Sequence, residues 1–153
     1  MLILGADIVY NGGICDLTNY TNNWWWDGYL IETQADFDAT LGNCTTIIGP
    51  IFISENYTGS LIMNNITNMT QDLSNYGIMG KTITPSARLT SLQADNLVWL
   101  GGMNLEGVPA LNLISMAKLE FVDRLIIYSN PALLKLPELK NATDIEIYGG
   151  YLR

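Results

Sequence analysis

The stretch RLTSLQADNLVWLGGMNLEGVPAL, residues 88–111, shows its pattern once it is written above ALNLISMAKLEFVDRLIIYSNPAL, residues 110–133. At an offset of 22, Leu89 falls on Leu111, Leu92 on Ile114, Leu97 on Leu119 and Trp99 on Phe121. Leu100 falls on Val122, Met103 on Leu125 and Leu105 on Ile127, and Pro109-Ala110-Leu111 falls on Pro131-Ala132-Leu133. After a two-residue slip, residues 119–130 realign with 139–150, placing Leu125 on Ile145, Ile127 on Ile147 and Tyr128 on Tyr148. A short period with alternating strand patterns in every unit marks an array in which each unit packs on its neighbours. One strand per unit (MNLEG, LIIYSN, IEIYGG) is expected to join a parallel sheet, and a second extended piece (LTSL, LNLI, LLKL) to lie on another side. Leu, Ile, Val and Phe are expected inward and Asn, Glu, Asp and Tyr outward. The units are too short for βαβ crossovers, which need about 30 residues. The expected fold is mainly β, a right-handed β-helix-like solenoid.

Working outward from the repeat, IIGPIFIS (47–54) and ITNMTQDLSN (66–75) read as earlier, less regular units. IETQADFDATLGNC (31–44) spaces Ile31, Phe37 and Leu41 at roughly helical intervals and ends at Gly42-Asn43-Cys44. It reads as a short amphipathic helix capping the open end of the stack, since solenoids need covered ends. The expected division is an N-terminal segment, 1–30, holding a Trp triplet and the first Cys, followed by one solenoid over 31–153.

Composition narrows the chemistry. Hydrophobic residues make up 48% and charged ones 14%. No apolar run approaches the roughly 18 residues of a spanning helix. The first basic residue is Lys81, so the net charge of −8 sits entirely in the first half. An acidic surface repels phosphate backbones, and nucleic acid is not an expected partner. Histidine is absent, which removes the commonest general base and zinc ligand. Neither a phosphate loop, nor a nucleophile elbow, nor HExxH occurs. No cofactor and no metal site is expected.

Six N-x-T sequons, at Asn19, Asn43, Asn56, Asn65, Asn68 and Asn141, point to a chain that passes through a glycosylating secretory route. The competing account is an Asn/Thr-rich turn composition without glycans. Cys15 and Cys44 are the only cysteines. An even count in a sequon-rich chain reads as one disulfide closing a loop of about 30 residues; two reduced structural thiols are the alternative. The start, MLILGADIVYNGG, lacks a basic n-region and a convincing cleavage site, and the expectation is an upstream start or a fragment.

With these features in view, ADFDATLGNCTTIIGPIFIS (35–54), NITNMTQDLS (65–74) and the repeat from Leu89 to Leu136 resemble the fungal GPI-anchored cell-wall organisation proteins. Those are related to sporulation-specific wall proteins and share the receptor L-domain type of leucine-rich solenoid. The resemblance covers about residues 31–150. It implies a secreted, N-glycosylated, lipid-anchored protein of the plasma membrane or wall, needed for wall integrity and without catalytic residues. In that pattern Cys15 and Cys44 match the N-terminal capping pair. Cell-wall polysaccharide or cell-surface proteins are the implied partners. The chain departs from the pattern in lacking a signal peptide, a Ser/Thr-rich stalk and the hydrophobic tail of an anchor signal. It ends at Arg153 just after a strand, and the reading is C-terminal truncation.

The expected function is therefore a non-enzymatic surface glycoprotein, with a ligand-binding receptor-type ectodomain as the alternative. A third class is a carbohydrate-active enzyme working with two carboxylates. Asp144 and Glu146 at i and i+2 share a strand face about 6.6 Å apart by strand rise, near the roughly 6.5–9.5 Å of inverting glycosidases. The aligned positions one unit back, Arg124 and Ile126, add no further acid. Asp36 and Asp38 point apart on the expected helix and read as solvated charges. Tyr128 and Tyr148 stack at equivalent outward positions, as a glycan ladder or as plain packing between units. Trp24, Trp25 and Trp26 in TNNWWWDGYL (21–30) cannot all face one way. Packing on the cap, with Asp27-Gly28 turning into the helix, is the expected role; a glycan or partner contact and a membrane foot are the alternatives.

Overall fold

The offsets visible in the sequence are the registers of two parallel ladders. The computed structural model describes residues 8–22, 26–75, 88–128 and 133–148. In chain order the elements are β1 (Val9–Asn11), β2 (Ile14–Asp16), β3 (Thr21–Asn22), β4 (Trp26–Asp27), β5 (Tyr29–Ile31) and the helix α1 (Gln34–Thr40). Then come β6 (Thr46–Ile48), β7 (Ile51–Ile53), β8 (Thr58–Ile62), β9 (Asn68–Ser74), β10 (Arg88–Gln93) and β11 (Trp99–Glu106). The last four are β12 (Leu113–Ser115), β13 (Phe121–Tyr128), β14 (Leu133–Lys135) and β15 (Asn141–Tyr148). The protein is mainly β.

The larger sheet runs β1-β2-β6-β9-β11-β13-β15, with β7 also pairing β9 and β5 pairing β7. The smaller runs β14-β12-β10-β8. All pairs are parallel apart from β1–β2 and the two-residue ribbon β3–β4. Trp99 lies opposite Phe121, Met103 opposite Leu125 and Leu105 opposite Ile127, the offset of 22. Leu125 lies opposite Ile145 and Tyr128 opposite Tyr148, the offset of 20.

This register makes the core. Leu92, Leu97, Leu100, Met103 and Leu105 are at most 1% exposed, and their successors Ile114, Leu119, Val122, Leu125 and Ile127 at most 5%. Each layer roofs the one before it. Where β9 stops at Ser74 and β11 continues, the fully buried Asn75 takes the place of a strand residue. Its Nδ2 donates to the Glu106 carbonyl at 2.8 Å, and its Oδ1 accepts the Glu106 N–H at 2.9 Å.

The N-terminal end is closed differently. Cys15 and Cys44 are disulfide-bonded with Cα atoms 5.8 Å apart and both are buried. Pairing of β2 with β6 and of β5 with β7 carries the sheet across the boundary expected at residue 30. On α1, Thr33 is the N-cap, its hydroxyl accepting the Asp36 N–H, which satisfies an otherwise unpaired helix amide. Phe37 and Leu41 from the helix region pack into the core beside Ile31.

Four expectations need correction. The helix covers 34–40, not 31–44: Ile31 belongs to β5, where parallel pairing with Ile53 buries it fully. For the same reason Asp27-Gly28 leads into a strand before the helix begins. Phe121 faces outward, half-exposed on the outer side of β13, because its neighbour Val122 takes the inward position. The two-residue slip also falls earlier than the sequence alignment places it: Leu133 pairs with Leu113, not with Leu111. Leu111 lies in the preceding turn, its N–H donating to the Val108 carbonyl.

Candidate functional site

Along the larger sheet the strands share one column of irregularity. Gly49-Pro50 separates β6 from β7, and Gly49, at φ 114°, adopts a conformation that favours glycine. In the next strand the register steps from Met69–Leu100 to Asp72–Gly102, so β9 carries one residue more than β11. Such bulges bend a strand and re-aim its side chains. Gly101 sits in this column, where a Cβ would run into the Thr70 carbonyl oxygen. The pairing of β11 with β13 steps over Gly101 and Asp123, and that of β13 with β15 over Asp123 and Thr143.

Over this bent column lies a groove of about 800 Å³, lined from Pro50 on one side to Asn141 and Thr143 on the other. Trp99 stands in it 47% exposed, and its ring packs on Phe121 with centroids 5.6 Å apart and planes 32° apart. Asp72 and Arg124 meet across β11, Nη2 to Oδ2 at 3.1 Å. Asn104 Oδ1 is buried without a hydrogen-bond partner. The groove thus offers an aromatic shelf, a charge pair satisfied within itself and a second carboxylate at Asp123, with Asn104 in its wall. Among the described residues that line it, Arg124 is the one cation.

Of the candidate site residues singled out from the sequence, Asn141 lines this groove and the other described ones do not. Tyr128 and Tyr148 stack at 4.9 Å with planes 8° apart. The Tyr128 phenol donates to Glu146 Oε2 at 2.5 Å, and that hydrogen bond, above all, pushes its pKa up to about 12. Glu146 is thereby engaged with a tyrosine, while Asp144 on the same strand is exposed. Asp36 is half-buried, correcting its reading as a solvated charge, because Oδ1 accepts the Tyr29 hydroxyl at 2.9 Å. Desolvation, with Asp36 a smaller cause, raises the Tyr29 pKa. Asp38 faces elsewhere, accepting from Gln34 Nε2.

Asn19, Asn43, Asn56, Asn65 and Asn141 are exposed, and Asn68 is half-buried on β9. Asn65 Nδ2 donates to the Gly42 carbonyl at 2.6 Å. Trp24 and Trp25 lie outside the described residues, and of Trp26 only the backbone, in β4, is described. Among the described residues no three acidic, Cys or His side chains converge on a metal position, and no helix is long and apolar enough to cross a membrane.

Sequence reasoning missed the groove. Its signals were Gly101-Gly102 beside Trp99, and a tryptophan aligned with a phenylalanine at an outward position. A scan against family models and searches of curated proteins and of solved structures find no match to the chain.

Proposed function

We propose that the protein is a non-enzymatic cell-surface glycoprotein of the fungal cell-wall organisation type, its parallel ladders forming a right-handed β-helix-like solenoid of the receptor L-domain kind. The observation that carries this reading is the buried Cys15–Cys44 disulfide, which suits an oxidising secretory compartment. The exposure of five of the six sequon asparagines supports it, because transfer of a glycan needs an accessible side chain. Lipid anchoring comes from the resemblance alone.

The test is expression in a secreting eukaryotic host, followed by glycosidase treatment and non-reducing peptide mapping. Stepwise loss of mass and a linked Cys15–Cys44 peptide are expected, with Asn68 the sequon left empty. An unshifted mass overturns the glycoprotein reading. Incubation with β-glucan, chitin and mannan is expected to give no turnover. Turnover abolished by Asp144→Asn or Glu146→Gln would establish the enzyme instead.

A second reading, a ligand-binding ectodomain, is favoured by the groove on the sheet face. Receptor-type L domains present such faces to partners, and the groove volume lies in the range of ligand sites.

A further inference from the structure

We infer that the groove on the larger sheet is a binding site for a neutral polysaccharide segment, stacked on Trp99 and Phe121 and hydrogen-bonded to Asn104. The inference deepens the surface-protein reading and rests on it for the setting in which such a polymer is met.

A tryptophan ring on the outer side of a sheet, almost half exposed, with a phenylalanine beside it, is a large apolar area left in water. Within the sheet it has no packing role comparable to that of Leu100 or Val122, which are turned inward and buried. A pyranose ring presents an apolar C–H face that covers such a shelf while its hydroxyls point to the rim. Asn104 lines the same groove. Its Oδ1 is buried without a partner, which costs free energy, and a small turn of the amide would bring that oxygen to a ligand hydroxyl.

Charge points to the same ligand class. An anionic ligand would need a free cation, but Arg124 is held by Asp72 at 3.1 Å, and Asp123 lies beside it. A basic peptide would need a cluster of free carboxylates, but Asp72 is already paired and Asp123 is the one other acid among the described residues that line the groove. A neutral, hydroxyl-rich ligand asks for neither. The groove crosses from β7 to β15, and successive strands stand about 4.8 Å apart, so it is longer than one sugar ring. At about 800 Å³ it fits an oligosaccharide segment. Gly101 and the β9 bulge keep its floor open, since a side chain at Gly101 would collide with the Thr70 carbonyl.

Asn141 lines the far wall and heads a sequon, so a glycan attached there is the rival occupant. The test is isothermal titration of the protein secreted from a glycosylating host against soluble β-glucan, chitin and mannan oligosaccharides. The Trp99→Ala, Trp99→Phe, Asn104→Leu, Asn141→Gln and Tyr148→Ala variants are titrated alongside. Expected are binding of at least one oligosaccharide by the secreted protein, at least tenfold weaker binding in Trp99→Ala, partial recovery in Trp99→Phe, and several-fold loss in Asn104→Leu. Tyr148→Ala, outside the groove, is expected to bind as the parent does. A melting curve for each variant separates lost binding from lost folding.

Binding that survives Trp99→Ala, binding of none of the oligosaccharides, or preference for a Lys-rich peptide overturns the inference. Binding that emerges only in Asn141→Gln overturns it too, by showing that the attached glycan fills the groove. A secreted, glycosylated protein that binds no oligosaccharide sinks this inference and leaves the surface reading standing. An unglycosylated chain that binds does the reverse.

Discussion

Leu125 and Ile145 are partners in one parallel ladder, one strand apart, yet Leu125 is 1% exposed and Ile145 50%. Ile127 and Ile147 repeat the contrast at 5% and 43%. The residue types are nearly the same and so is the strand pattern. What differs is the next layer: β13 is flanked by β11 and β15, whereas β15 pairs only with β13 among the described residues. At the other end of the ladder the closing device is built from unlike parts. A disulfide, a seven-residue helix and two short strands leave Ile31, Phe37, Leu41 and Cys44 at most 2% exposed. Along this ladder, burial is conferred by the neighbouring strand and not by the strand itself.

The largest effect expected from this contrast is at the closed end. Phe37→Ala removes a fully enclosed ring and is expected to cost about 3–5 kcal/mol. Tyr148→Ala on the open strand, 56% exposed, is expected to change the melting temperature little. Equal losses from the two would break the comparison. Replacing both cysteines by alanine is expected to cost about 3–4 kcal/mol, from the loop closed over a separation of 29 residues. Thermal unfolding should register this as a fall on the order of 10 °C, and a fall of only a degree or two would make the disulfide incidental to the closure.

The sharper pair is Leu125→Ala against Ile145→Ala. The first is expected to cost about 2–5 kcal/mol, the second under about 1 kcal/mol, because its side chain already meets water. Chemical denaturation of both variants measures the difference. Asn75→Ala comes next, at about 1–3 kcal/mol, since it leaves the Glu106 N–H and carbonyl without their partner.

The smallest expected effect is alkaline. Tyr57 is fully buried between α1 and β8, donating to the Ser60 carbonyl at 2.9 Å. Desolvation, with Asp38 adding to it, pushes its pKa up to about 12 from 10.0. The folded state holds the phenolic proton more tightly than the unfolded chain. Its contribution is therefore whole below about pH 10 and is lost as the pH climbs to about 12. Melting curves across that window should fall less steeply for Tyr57→Phe, and parallel curves would refute the assignment.

What was legible from the sequence follows the same division. Where units repeat, the alignment of Met103 with Leu125 and of Tyr128 with Tyr148 returned the pairing itself, because a parallel register forces like residues into one column. Where units differ, local patterns misled. Ile31 lies at helical spacing from Phe37, but its burial is decided by Ile53 on β7, a partner 22 residues on. Phe121 looked like core because it is apolar, and only its position beside Val122 turns it outward. The groove was missed because it depends on a bulge in β9, a mismatch between strands that Gly101-Gly102 beside Trp99 hints at but does not locate.

Backbone amide hydrogen exchange, read residue by residue, reports which strands are covered on both edges. Slow exchange is expected along Trp99–Glu106 and Phe121–Tyr128, which have a strand on both sides, and markedly faster exchange along Asn141–Tyr148. Protection of 141–148 equal to that of 99–106, or fast exchange throughout 121–128, would contradict this expectation.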